Sequence, residues 1–406
     1  MQRRMKMVIS NKFADALRPS GIREITSKLN EKTARGIKVT SFAGGMPAKE
    51  YFPLRELKEI TDRLFDEEDG QIIQYAPSTG YEPLKKTLAS FMSRYKVDTS
   101  VGNIQIYEGS TQALSYISRL FLSDNGGAVV VESPSYTGAL DIFRMYNAEI
   151  IDVKTENDGF DLDELEKVLA SKDVKFIYCI PDYQNPTGRV YSVEKRRKMV
   201  ELAKKYDTVI LEDSPYALLC FDGNLKPSIK SFDDEDERVI FIGSVSKIMA
   251  PGIRVGWTVG SRDFTQKMVY IKMIDDLQVN NLAQRQVFRY LTEYNLDAHL
   301  DEVREVYRRR RDLMVEAVRA SFPEGTSVYV PEGGMFLWVD LPESVDTDKL
   351  FDVVFAHDIA YVPGSKFYSE KGKGTHSLRL NFATSNEEQI KQKVREMGQV
   401  ITASIR

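Results

Sequence analysis

Lys247 stands in the run GSVSKIMAPGIRVGW, residues 243–257, where small residues follow an apolar stretch. A lysine held among small, apolar neighbours is a candidate nucleophile for an aldehyde carbon, because desolvation favours the neutral amine. Ser244 and Ser246 precede it and Arg254 follows it, so the same loop offers hydroxyls and a guanidinium for an anion. The working hypothesis is an imine between Lys247 and an aldehyde cofactor whose phosphate meets Ser244 and Arg254.

Four other turns carry polar residues that such a cofactor needs. Gly109-Ser110-Thr111 opens a helix, where free N–H groups and the helix dipole favour a phosphate; plain helix capping is the alternative. Tyr136 follows the next strand and could stack on a planar ring, or sit as a rim tyrosine. Asn185 lies in QNPTG, a rigid turn whose amide could donate to a cofactor oxygen, or serve only the turn. Asp213 ends a strongly apolar strand, where a carboxylate is costly unless paired. A protonated ring nitrogen would pair with it, Tyr216 could reach the same place, and a buried salt bridge is the alternative. Gly44-Gly45 before Met-Pro marks a turn that something could approach closely.

Those turns need elements to hold them. Strands are expected at 104–108, 128–132, 149–153, 174–180, 208–213, 239–242 and 255–259, with helices between most of them. The strands are Val/Ile-rich without alternation, as in a sheet buried on both faces. The fold class is therefore α/β with a mainly parallel central sheet, and ligands of such sheets bind beyond the carboxyl ends of the strands. Residues 12–35 read as a helix interrupted at Pro19, and 281–320 as one long helix. Residues 1–49 are expected to form an N-terminal arm and part of a smaller domain, 50–290 the large domain, and 291–406 the linking helix and the rest of the smaller α+β domain.

Composition excludes several functions. With 406 residues, net charge −4 and 42% hydrophobic residues, the chain suits a globular enzyme and offers no basic field for nucleic acid. Three histidines in unrelated contexts speak against a metal site. Two cysteines point to a reducing compartment, and without a signal peptide or an apolar run of membrane-spanning length the cytoplasm is expected. The charge runs at 195–198, 233–237 and 308–311 are expected to be solvated.

A lysine for an aldehyde, an acid for a ring nitrogen and a phosphate cup are what a protein supplies to pyridoxal 5'-phosphate. With FAGGMP, QNPTG, EDSPY, SVSKIMAPGIRVGW and SLRLNF in this order, the chain resembles the fold-type I pyridoxal-phosphate aminotransferases of class I/II. Within them it is most similar to the 2-aminoadipate (LysN-type) and kynurenine aminotransferase II-like branch. The resemblance implies Lys247 as the Schiff-base lysine and Asp213 on the pyridinium nitrogen. It implies Asn185 and Tyr216 on the phenolic oxygen and Tyr136 on the ring. Ser110, Thr111, Ser244, Ser246 and Arg254 would hold the phosphate, with Thr111 standing where many relatives have glutamine. Tyr75, in QYAPSTG, would reach the neighbouring subunit's phosphate in a homodimer with shared sites. Arg379 would clamp the substrate α-carboxylate, Gly45 and Asn185 would lie against the substrate, and Arg23, in PSGIRE, would meet a distal carboxylate. The implied reaction is ping-pong amino transfer to a 2-oxo acid, with 2-oxoglutarate as acceptor. A pyridoxal-phosphate lyase or decarboxylase on the same scaffold, or a non-catalytic sensor, is the alternative. Related regulators carry a DNA-binding module, for which the chain is expected to have no room before residue 40.

Overall fold

A computed structural model of the chain describes residues 21–122, 126–234 and 237–405. The first part of the expected 12–35 helix lies outside the described residues; the rest is the helix Gly21–Ala34. A short strand, β1 (Thr40–Ser41), follows. The large sheet takes β2 (Ile104–Tyr107), β3 (Gly127–Ser133), β4 (Ala148–Glu156), β5 (Gly159–Phe160), β6 (Val174–Cys179), β7 (Val209–Asp213), β8 (Val239–Ser244) and β9 (Gly256–Val259). Their order across the sheet is β2-β9-β8-β7-β6-β3-β4-β5.

The middle of this sheet, from β4 through β3, β6 and β7 to β8, is parallel. Its edges are antiparallel, β9 against β8, β2 against β9 and β5 against β4. Alternate residues of the middle strands enter two separate apolar clusters: Val129, Phe176 and Leu211 on one face, Val130, Ile177 and Ile210 on the other. Both faces are buried, which is why these strands read as unbroken apolar runs. Burying each such side chain contributes about 1.5–3 kcal/mol.

Strand direction decides where the polar turns go. The parallel strands β3, β6, β7 and β8 finish on one edge. Because β9 reverses once and β2 reverses again, β2 finishes there too. The register puts Tyr107 and Ser244 on either side of Gly256. Beyond this row lie the turns carrying Ser110, Tyr136, Asn185, Tyr216 and Lys247.

The smaller sheet is antiparallel. It uses β10 (Ser327–Tyr329) and β11 (Phe336–Asp340), while β12 (Ile359–Ala360) pairs with β1, and β13 (Val362–Pro363) and β14 (Ser377–Asn381) complete the order β10-β11-β14-β13. Residues 281–320 form two helices, Asn281–Glu293 and Leu296–Ser321, where one was expected. Asn295 breaks the run: its side chain accepts from Ala298 N–H and caps the second helix. The apolar period resumes after the break, which hides it in the sequence. The helix Arg262–Asp275 was also not expected.

Three charged residues expected to face water are buried. Arg196 is fully enclosed and ion-paired with Asp182 at 2.6 Å. Asp233 pairs with the buried Lys230 at 2.9 Å, and Arg310 donates to the Ala383 carbonyl and to Glu50. Each has partners distant in sequence or in a tight turn, which a run of charges does not announce. Among the described residues no helix is long and apolar enough to cross a membrane.

The helix Leu296–Ser321 fastens the two sheets together. Arg304 Nε donates to Leu218 O at 2.8 Å beside the end of β7, and Tyr307 Oη accepts the Ala48 N–H at 2.9 Å beyond the FAGGMP turn. Replacing Tyr307 by Phe strands that buried N–H. A loss of about 1–3 kcal/mol is expected, read as a lower urea midpoint, and an unchanged midpoint would show that the bond contributes nothing.

Candidate active site

One cavity of about 290 Å³ lies at the strand-end edge of the large sheet, lined by Gly45, Ser110, Thr111, Tyr136, Asn185, Asp213, Tyr216, Ser244, Ser246, Lys247, Arg254 and Arg379, with Ile180, Pro215 and Pro251. Twelve of the fourteen residues singled out from the sequence are in that lining; Tyr75 and Arg23 are not. Tyr75 is 80% exposed, and Arg23 is exposed on the first turn of the Gly21–Ala34 helix.

Asp213 is buried at the end of β7. Its Oδ2 accepts a hydrogen bond from Tyr178 Oη at 2.8 Å, and its Oδ1 is buried with no partner among the described residues. No cation of those residues is bonded to it, so the salt-bridge alternative fails. Burial pushes its carboxyl up to about 7, against the pull of the Tyr178 hydroxyl and of Lys247. An orphaned acceptor aimed into a cavity fits a ligand that brings a donor, such as a protonated ring nitrogen. Tyr178 was missed from the sequence: it sits mid-strand among apolar residues, where only its neighbour across the sheet gives its hydroxyl a task.

Lys247 Nζ donates to Gly45 O at 2.8 Å. Burial lowers its ammonium to about 8, and the nearby Arg379 and Arg254 charges push the same way. The neutral amine that a nucleophile requires is therefore a substantial minority near physiological pH, far more than for an ordinary lysine.

The end of the cavity beside Arg254 is built from backbone as much as side chains. Gly109, with φ of 83°, precedes the helix Ser110–Phe121 and caps none of its N–H groups with a side chain. A Cβ on Gly109 would overlap the Arg254 guanidinium, and one on Gly256 would meet Ser110 N at 2.7 Å. Arg254 itself has φ of 58°, and its guanidinium donates to Pro251 O and Glu108 O. Ser244 Oγ accepts from Ser246 N–H and donates to Ser246 Oγ at 2.9 Å, so both hydroxyls face one place. Free helix N–H groups, two serines and an arginine make an anion cup.

Arg379, on β14, is 1% exposed. Its Nη1 donates to Asn185 Oδ1 at 2.8 Å and its Nη2 to Ala43 O at 2.5 Å, while its guanidinium lies 4.3 Å from the Phe336 ring and 5.0 Å from Phe367. Burial lowers even this group, to about 10. Among the described residues no carboxylate pairs with it, so a ligand carboxylate is its natural counter-ion. Tyr216 sits edge-on to Phe336, with ring centroids 5.7 Å apart.

An orphaned acceptor, an amine of lowered basicity and an anion cup in one cavity fit the needs of pyridoxal phosphate. The comparisons carry this further. Residues 45–396 match the family model described as aminotransferase class I and II. The chain is 37% identical over 369 residues to aromatic-amino-acid aminotransferase 1 of Thermococcus litoralis, covering 89% of this chain and 88% of that one. The crystal structure of Pyrococcus horikoshii kynurenine aminotransferase in complex with PMP superposes with TM-score 0.91 at 35% identity, covering 98% of each chain. LysN, the alpha-aminoadipate aminotransferase of Thermus thermophilus, solved with N-(5'-phosphopyridoxyl)-L-leucine, gives TM-score 0.89 at 33% identity and the same coverage. The chain belongs to the class I and II aminotransferases, pyridoxal-phosphate enzymes of fold type I.

The raised carboxyl of Asp213 has a stability consequence. Its folded value of about 7 exceeds the ordinary 3.8, so folding takes up a proton between these values. Stability is then lost as pH rises through that window and stays lost above it. Cofactor-free Asp213→Asn escapes this loss, so its melting temperature relative to wild type should climb between about pH 4 and about pH 7 and then level off. A gap that stays constant with pH would contradict the burial of an unpaired carboxylate.

Proposed function

We propose that the protein transfers the amino group of an L-amino acid to a 2-oxo acid, 2-oxoglutarate, in a ping-pong order. The donor is drawn from the 2-aminoadipate, aromatic or kynurenine-like and branched-chain group. The observation that carries this is that Lys247, Asp213, whose Oδ1 has no partner among the described residues, and Arg379, which has no carboxylate partner among them, all border one cavity.

Pyridoxal phosphate bound there supplies an electron sink for the pair left when a proton leaves the substrate Cα. The chain's residues do the rest. Asp213 Oδ1 would accept from the protonated ring nitrogen, and its negative charge would favour that proton staying. Tyr136 would lie on the ring, with Asn185 and Tyr216 turned to the phenolic oxygen. Ser110, Thr111, Ser244, Ser246 and Arg254 would hold the phosphate. Arg379 would take the α-carboxylate in a two-pronged grip, with Asn185 and Gly45 beside it. The Lys247 amine would be the base that takes the Cα proton and the acid that returns it, a double task suited to a group titrating near 8.

Tyr75, from a second copy in a homodimer, is the proposed further contributor at the phosphate end. Its ring is exposed together with Ile73, Met273, Ile274 and Leu277. Asn281 donates to Gln71 O and Gln278 accepts the Ala76 N–H, which sets the loop of Ile73 and Tyr75 beside the segment that follows Leu277. Such a cluster of exposed apolar residues favours burial against another subunit. Arg23 is proposed for a distal carboxylate of the donor. Both cysteines are buried free thiols, which suits the cytoplasm.

Two measurements test this. A panel of amino acids with 2-oxoglutarate should yield stoichiometric glutamate and 2-oxo acid, and Lys247→Ala should abolish it while leaving the fold intact; turnover by that variant would refute the assignment. Wild type should sediment as a dimer, and Ile274→Asp should give a monomer with weakened pyridoxal-phosphate binding. A wild-type monomer with full activity would remove Tyr75 from the site.

A further inference from the structure

Glu132 lies near the end of β3, on the strand whose turn carries Tyr136, and is fully buried. Among the described residues no cation pairs with its carboxyl. Its Oε2 accepts from Ile180 N–H at 3.1 Å and from Gln184 Nε2 at 3.2 Å, and its Oε1 accepts from Tyr191 Oη at 2.8 Å. These three donors are the beginning, middle and end of the loop that carries Asn185. A carboxyl in a core strand costs desolvation that a valine would not. What it does that a valine cannot is bind three donors from another loop.

Gln184 extends the connection. Its second N–H donates to Pro134 O at 2.8 Å, in the turn before Tyr136. Its Oε1 accepts from Thr187 N–H at 2.9 Å and from Thr187 Oγ1 at 2.7 Å. Both hydrogens and both lone pairs of the amide are used, so its orientation is pinned. Asn185 is the next residue, and its Oδ1 orients Arg379. One buried carboxyl thus anchors two separate strand-end turns relative to each other.

We propose that Glu132 is a positioning residue of the active site, acting through Gln184 to hold Asn185, and with it Arg379, in register with Tyr136. This rests on the assignment of Asn185 and Tyr136 to cofactor and substrate. The bonding makes the geometry, and not the charge, the operative property. In Glu132→Gln the amide oxygen takes the place of Oε2 and its NH₂ meets Tyr191, whose hydroxyl turns to accept; every contact survives. Glu132→Ala removes them all, and Gln184→Ala cuts the link between the turns together with the two Thr187 bonds inside its own loop.

The test measures three quantities on each variant: the Kd for pyridoxal phosphate by equilibrium dialysis, the KM for the amino donor, and the melting temperature. Glu132→Gln should stay within about threefold of wild type in Kd and KM, whereas Glu132→Ala and Gln184→Ala should raise both by about tenfold or more, since small misplacements of contacting groups are costly. Gln184→Ala leaves Glu132 two of its partners, so it keeps the test open if Glu132→Ala does not fold. A Gln184→Ala protein with wild-type Kd and KM overturns the proposal, whatever its melting temperature. So does Glu132→Gln failing as badly as the alanine variant, because the charge would then be what matters. Lys247→Ala is the control that separates this outcome from failure of the assignment itself.

Discussion

The site depends on a carboxylate withdrawn almost wholly from water. Asp213 closes a core strand with one oxygen on Tyr178 and the other on nothing among the described residues. Left ionised and unpaired, it costs the fold stability, and its carboxyl accordingly rises to about 7. That cost is recovered only when a cationic donor arrives. In the proposed role, the arrangement would exchange stability of the free chain for grip on a protonated ring nitrogen and would keep that nitrogen protonated. Arg379 repeats the device with the opposite sign: a buried guanidinium without a carboxylate among the described residues, set between two phenylalanine rings.

Around these two charges the fold supplies backbone. The antiparallel edge formed by β9 and β2 brings Gly256 against the N-terminus of the Ser110–Phe121 helix so closely that only glycine fits. The phosphate cup therefore comes from a strand pairing and a helix end, with side chains added. The positive charges of Arg254 and Arg379 lower the basicity of Lys247 along with burial. The two arginines that would bind the cofactor's phosphate and the substrate's carboxylate also prepare the amine.

Much of this was legible in the chain. The middle strands show as Val/Ile runs because both their faces are buried, and five polar turns follow them in order. Tyr178, Glu132 and Gln184 were not legible as parts of the site. Each is a polar residue in an apolar or turn-rich setting whose partner lies tens of residues away. The buried Arg196 and Arg310 hid in charge runs for the same reason: neighbours along the chain say nothing about which helix face is inward. Asn295 hid as a helix break because the apolar period resumes beyond it.

By itself the sequence determined the residue types available for chemistry and the order in which they reach the sheet edge. A lysine among small residues, an acid closing an apolar strand and a glycine before a helix each constrain their own neighbourhood, and local physics is enough to read them. The tertiary structure alone decided which groups go unpaired. Whether Asp213 Oδ1 or the Arg379 guanidinium lacks a counter-ion depends on every side chain brought near it by strands β6, β7 and β14, and burial without a partner is a property of the assembled neighbourhood and not of any segment.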